Sequence, residues 1–203
     1  MDITIRNIGW IEVVCGSMFS GKSEELIRRL RRCQIAKQKI MVFKPSRDTR
    51  YSDHHVVSHN DTRISSIAVA DSQELYHQVT PDVQVVGIDE AQFFDNRLPS
   101  VCEKLADEGK RVIVAGLDQD YRGVPFEPLP QLMAVAEYVT KSLAICVVCG
   151  NPANRSYRKV LSEERILLGA TDVYEPRCRK CFRVDEEKQE KAAPPLFTDQ
   201  SKK

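Results

Sequence analysis

The sequence predicts an α/β fold in which helices flank a mainly parallel sheet. Apolar runs at residues 11–15, 39–43, 83–89 and 111–118 alternate with segments whose apolar residues recur at helical spacing. The runs are apolar on both faces, as strands are when helices cover a sheet from two sides. The first run ends in a glycine-rich turn, GSMFSGKS, that opens the first helical segment.

Taken in order, IEVVC (11–15) reads as a buried strand. Gly21 to Lys37 then places Leu26, Leu30 and Cys33 at helical spacing, with arginines on the other face. KIMVF (39–43) is a second strand. Pro45 to about Arg63 is polar, dense in Ser, Asp, His and Arg, and its length predicts a mobile or a functional loop. VQVVGID (83–89) is a third strand, Leu98, Val101 and Leu105 mark a helix, RVIVAGLD (111–118) is a fourth strand, and LPQLMAVAE (129–137) reads as helical. Beyond Ser142 the pattern changes to a cysteine-bounded insert of short strand-like pieces. From Asp185 the chain is charged and then proline-containing, a composition that predicts a disordered tail. The expected division is therefore a main domain at 1–142, a cysteine domain at 143–184 and a tail at 185–203.

Composition bounds the function. The chain has 203 residues, 42% hydrophobic and 29% charged, enough apolar surface for a real core. Lys and Arg total 30 against 29 acidic residues, a formal charge of +1. That balance speaks against a dedicated nucleic-acid binder, while leaving room for a local basic cleft. No apolar run approaches the ~20 residues needed to span a bilayer. MDITIRNIGW has neither the basic start nor the apolar centre of a signal peptide, so a cytoplasmic location with no membrane contact is expected.

GSMFSGKS fits G-x-x-x-x-G-K-[S/T] over Gly16, Ser17, Met18, Phe19, Ser20, Gly21, Lys22 and Ser23. The glycines let consecutive N–H groups converge on phosphate oxygens, Lys22 brings positive charge to the β- and γ-phosphates, and Ser23 offers a hydroxyl to magnesium. The alternative is a glycine turn with an incidental lysine; a strand before and a helix after favour the phosphate loop, and hence ATP.

A phosphate loop needs a carboxylate on a neighbouring strand, and DEAQ (Asp89, Glu90, Ala91, Gln92) ends the 83–89 run. Asp89 suits the magnesium side. Glu90 can act as general base on a nucleophile, can polarise water as in an ATPase, or can be a solvated residue at a strand end. These residues alone leave the acceptor open.

Of seven cysteines, Cys15, Cys33 and Cys102 fall singly in apolar segments and read as small buried hydrophobes. Cys146, Cys149, Cys178 and Cys181 form two C-x-x-C pairs, the spacing of a structural zinc site. A redox dithiol is the alternative for one pair, and two pairs together argue against it. The 28 residues between the pairs exceed the usual interval of about 15 to 20, so residues 150–177 must form a sizeable loop, a plausible lid.

Together, GSMFSGKS, DEAQFF, AGLDQDYRGVPF and the paired cysteines resemble the type II, or cellular-type, thymidine kinase family, from about residue 8 to about residue 183. The resemblance implies a P-loop (RecA-like) sheet with a small C-terminal zinc-binding lasso domain, and ATP, Mg2+ and structural Zn2+. It assigns Glu90 as catalytic base and Gly16 to Ser23 with Asp89 to Gln92 to ATP. Met18, Phe93, Leu117, Tyr121 and Phe126 become the wall around thymine; by spacing alone, Met18, Phe93 and Leu117 read as ordinary core. Leu167, Leu168, Gly169 and Tyr174 fall in the lasso, whose backbone binds the base edge. Ser156 stands where the family has threonine facing the thymine methyl, and Tyr121 where some members have Phe. Arg158 and Arg50 resemble basic residues near the phosphates. Thymidine, with deoxyuridine beside it, is the implied substrate, thymidine triphosphate the implied feedback ligand and a homotetramer the implied assembly. His54, His55, His59 and His77 carry no assigned chemistry. The rival readings are a small ATPase that binds nucleic acid or protein through its zinc module, and a nucleotide-binding regulator without turnover.

Overall fold

A computed structural model of the chain describes residues 8–47, 55–57, 63–162, 164–167, 169 and 171–183. Arg50, His54, His59, Leu168, the tail from 185 and much of the Pro45–Arg63 stretch lie outside the described residues. The elements are β1 (Trp10–Gly16), α1 (Lys22–Ile35), β2 (Ile40–Pro45), β3 (His55–Val57), β4 (Arg63–Ser65), β5 (Ile67–Val69), α2 (Ser72–Gln78) and β6 (Val85–Ile88). There follow a 3-10 turn at Ala91–Phe93, α3 (Leu98–Asp107), β7 (Arg111–Gly116), α4 (Leu129–Val135) and β8 (Tyr138–Ser142). The short strands β9 (Ala144–Ile145), β10 (Pro152–Ala153), β11 (Arg155–Arg158) and β12 (Tyr174–Arg177) complete the described order.

Six strands form one sheet in the order β5-β2-β6-β7-β1-β8, and every pairing in it is parallel. The sheet is covered on both faces, which is why its inner strands are apolar on both. On one face Leu26, Ile27, Leu30 and Cys33 of α1 pack on Val14, Val42, Val85, Ile113 and Ala115. On the other, α3 and α4 pack on Ile11, Val13, Val86, Ile88, Val112 and Val114. Fully burying each large aliphatic side chain contributes roughly 1.5–3 kcal/mol, so α1 is held by its apolar stripe. Glu12 is the polar exception within β1. Its buried carboxylate is answered by Arg29 at 2.7 Å and Arg111 at 2.6 Å.

Several elements escaped the sequence reading, among them β3 within the stretch read as a polar loop, and three of them have a plain physical reason. β8 is an edge strand with exposed residues on both faces, so it lacks the double apolar pattern of its neighbours. The helix expected to run to Glu137 stops short at Val135, because Ala136 turns to extended backbone (ψ 139). α2 has only seven residues and depends on a cap, the Asp71 carboxylate accepting from the Glu74 N–H at 2.8 Å. β5 has three residues, too few to show a period.

After β8 the pairings become antiparallel, β9 with β10 and β11 with β12. These small sheets gather around Ala144, Cys146, Ala153 and Cys178, with Phe19 and Cys181 packed against them.

Candidate active site

In a parallel sheet all carboxyl ends open on one edge, and here that edge carries the chemistry. β1 leaves the sheet at Gly16 (φ 146), where a Cβ would come within 2.2 Å of the Ser142 carbonyl oxygen. The loop then curls on itself. Ser20 Oγ and Lys22 Nζ both donate to the Ser17 carbonyl, at 2.8 and 2.6 Å. Phe19 takes positive φ (62), and α1 starts at Lys22, presenting its first-turn N–H groups and positive end to the loop.

Two strands away, β6 ends at Ile88 and hands on to Asp89, whose N–H donates to the Phe43 carbonyl at 2.9 Å. The Asp89 carboxylate is 7% exposed and accepts from Ser23 Oγ at 3.4 Å and from the Glu90 N–H at 3.0 Å. Burial, reinforced by the neighbouring Glu90 charge, pushes the Asp89 carboxyl up to about 7, although Ser23 and Lys22 pull the other way. A buried acid and a hydroxyl side by side form the oxygen donor set that a hard divalent cation takes, so Ser23 and Asp89 fit magnesium.

Glu90 sits in the left-handed region (φ 51, ψ 43), a conformation costing of order 1–3 kcal/mol and characteristic of functional sites. Its carbonyl accepts from the Phe93 N–H at 3.0 Å, closing the 3-10 turn. Gln92 Nε2 donates to the Glu90 carboxylate, and Gln92 Oε1 accepts from the Leu117 N–H at 2.9 Å.

Beside this tip lies a narrow pocket lined by Met18, Phe93, Leu117, Tyr121, Phe126, Ser156, Leu167 and Tyr174, all singled out in the sequence. Its wall also includes Gln119, Asp120, Arg165 and Ile166, which the sequence did not flag. Phe93 and Phe126 meet edge to face at 6.5 Å. Ser156 Oγ accepts from the Met18 N–H at 3.0 Å, tying the phosphate loop to β11. Gly169 is not among these wall residues; it lies against Val173.

Arg158 is engaged on all sides within the protein. It is 7% exposed, stacked on Tyr121 at 3.6 Å from the ring centre. Its guanidinium donates to the Tyr174 hydroxyl at 2.8 Å and to the carbonyls of Ser162, Glu164 and Arg165 at 3.3, 2.5 and 3.1 Å. Tyr174 in turn donates to the Leu167 carbonyl at 2.9 Å. The segment following β11 is thus strung around one buried side chain. Arg165 fastens it to the opposite wall, lying over Phe126 at 4.8 Å and donating to Asp120 at 3.1 Å and the Pro125 carbonyl at 3.0 Å. No local spacing could have paired Arg165 with Asp120, 45 residues away.

The ligand sulfurs of Cys146, Cys149, Cys178 and Cys181 all lie within 4.8 Å of one another. Tetrahedral zinc with Zn–S bonds near 2.3 Å needs sulfurs roughly 3.8 Å apart, and Cys149 and Cys178 are at 3.6 Å. Burial opposes thiolate formation at Cys146, yet N–H donors from Cys178, Val148 and Cys149 bring it down to about 6. Donor type, number and spacing all fit zinc. The cluster also touches the phosphate loop, through Phe19 in its apolar shell and through Ser17 Oγ, which donates to the Ala153 carbonyl at 3.4 Å.

The thymidine kinase family model matches residues 9–182. A curated thymidine kinase of Rhodothermus sp. (strain ITI 518) is 63% identical over 176 residues, covering 87% of this chain and 82% of the relative. A match of that extent, on a chain whose phosphate loop, acidic strand tip and four-cysteine cluster converge as described, shows that it belongs to the thymidine kinase family.

Proposed function

We propose that the protein transfers the γ-phosphoryl group of ATP to the 5′-hydroxyl of thymidine, giving thymidine monophosphate, and accepts deoxyuridine by the same route. The observation that carries this is the double membership of Met18. It is part of the phosphate loop, yet its side chain walls the aromatic cavity, so a nucleoside in that cavity lies beside the triphosphate cradle.

The N–H groups of the loop and Lys22 stabilise charge on the transferring group, and phosphoryl transfer depends mainly on such positioning and electrostatics. Ser23 and Asp89 would hold magnesium, which, when bound, neutralises charge on the phosphate oxygens. Glu90 orients the 5′-hydroxyl and takes its proton as the new O–P bond forms, the bond to the β-phosphate oxygen breaks and ADP leaves. Phe93, Phe126, Tyr121 and Leu117 enclose the base, Ser156 sits near its methyl group, and the backbone around Leu167 to Gly169 reads its polar edge. Such a pocket rejects other bases by leaving its own polar groups unpaired.

Cys146, Cys149, Cys178 and Cys181 would hold zinc, which ties both ends of residues 150–177 into a lasso. In this reading residues 1–142 form the catalytic domain, 143–184 the closing module and 185–203 a tail. A cytoplasmic homotetramer subject to feedback by thymidine triphosphate is part of the same proposal. Among the described residues no helix is long and apolar enough to cross a membrane.

ATP consumption measured across a nucleoside panel tests the reading. Turnover should require thymidine or deoxyuridine; equal use of cytidine, or stimulation by DNA in place of nucleoside, would overturn it. Glu90→Gln should retain nucleotide and nucleoside binding while kcat falls at least about a hundredfold. A rate near wild type would remove Glu90 from the chemistry.

A further inference from the structure

We infer that Gln92 is a positioning residue for the phosphoryl transfer, holding the Glu90 carboxylate in its working direction through a bridge to the pocket wall at Leu117. The inference rests on Glu90 acting as the base. Membership in the DEAQ run groups Gln92 with the ATP-binding residues, but its surroundings assign it differently. It is 3% exposed, and both ends of its amide are engaged within the protein.

The bridge has a fixed polarity. The Leu117 N–H can only donate, so the amide end facing it must be the oxygen, Oε1, at 2.9 Å. The nitrogen is thereby turned toward Glu90, where Nε2 donates to Oε2 of the carboxylate. A backbone group on the pocket wall thus determines which atom the base meets, with no freedom left to flip. Glu90 needs such a restraint. Its side chain leaves a residue in left-handed backbone at the start of a three-residue 3-10 turn, and a carboxylate on a flexible two-carbon stem has several directions to adopt.

The sequence also makes room for the bridge. At Gly116, the last residue of β7, a Cβ would lie 3.0 Å from Gln92 Oε1 and 3.2 Å from the Ala91 Cβ. A glycine at this strand end lets the 3-10 turn sit close enough for the amide to span the gap. Because Leu117 also walls the nucleoside cavity, the same amide references the base to the surface against which the substrate rests. No bond is made or broken at Gln92. The proton still passes from the 5′-hydroxyl to Glu90.

Two substitutions separate the ends of the bridge. Gln92→Glu keeps an acceptor for the Leu117 N–H and removes the donor to Glu90; Gln92→Met keeps the length and removes both. Each should lower kcat at least tenfold while KM for ATP, KM for thymidine and the affinity for ADP stay within about threefold, because misdirecting a base costs the transition state and spares binding. The double variant Glu90→Gln with Gln92→Met should turn over no slower than Glu90→Gln alone, since residues acting through one group are not additive.

Thermal unfolding and ADP binding confirm that each variant is folded before its rate is read. The inference fails if folded Gln92→Glu and Gln92→Met keep kcat within twofold of wild type, or if KM for ATP rises tenfold with kcat unchanged, which would make Gln92 a nucleotide contact. It also fails if the double variant loses a further tenfold. These results leave the reading of Glu90 intact provided Glu90→Gln is itself inactive; an active Glu90→Gln removes that reading.

Discussion

Arg158 shows how much a single side chain can organise. Its guanidinium serves three backbone carbonyls and the Tyr174 hydroxyl while its flat face rests on Tyr121. Lysine offers one ammonium and no plane, so Arg158→Lys cannot replace the fork or the stack. The variant should raise KM for thymidine roughly tenfold, the equivalent of one or two lost charged hydrogen bonds, with KM for ATP little changed. Steady-state kinetics with each substrate varied in turn checks this, and an equal effect on both would place Arg158 nearer the phosphates. At this scale legibility followed locality. Lys22, Ser23, Asp89 and Glu90 stood out because their partners lie within a short motif or at a strand tip. The partners of Arg158 are main-chain carbonyls, which leave no mark in a side-chain pattern.

Elements were readable where an inner strand is buried on both faces or a helix carries a long apolar stripe, as in β1, β2, β6, β7, α1 and α3. They were unreadable where stability is borrowed. β8 leans on a single neighbour, α2 on its Asp71 cap, and the segment around Arg165 has no hydrophobic period of its own. The last case carries a prediction. The Arg165–Asp120 contact joins a buried carboxylate to a guanidinium that is 43% exposed, so its contribution is modest, about 1 kcal/mol. Arg165→Ala should therefore quicken thymidine release about fivefold, with kcat unchanged or raised if product release limits turnover. Stopped-flow dissociation measures it. An unchanged off-rate would show that the strap closes without this fastening.

Taken as a whole, the molecule joins its two sheet systems at the phosphate loop. Phe19 packs in the shell of the cysteine cluster, Ser17 reaches the Ala153 carbonyl, and the Met18 N–H reaches Ser156. If zinc ties both ends of residues 150–177, losing it should loosen the lasso and weaken nucleoside binding first. The contacts extend that expectation to the nucleotide. Zinc removal by chelator should weaken ADP binding together with thymidine binding, before the main sheet unfolds. Fluorescent ADP titrations at defined zinc content test the coupling; nucleotide affinity indifferent to the metal would sink it. Such coupling could not be read from the motifs, because the two lie about 130 residues apart and meet only through packing.

The all-parallel register also has an engineering consequence. With every carboxyl strand end on one rim, the opposite rim, where α1 returns to β2 through Ala36 and Lys37, holds none of the residues assigned to the site. A tag or guest domain spliced between Lys37 and Gln38, both on short surface backbone, should leave turnover within about twofold, as exposed loop tips tolerate insertion. The enzyme thus has one working rim and one idle rim, and the idle one is open ground for redesign.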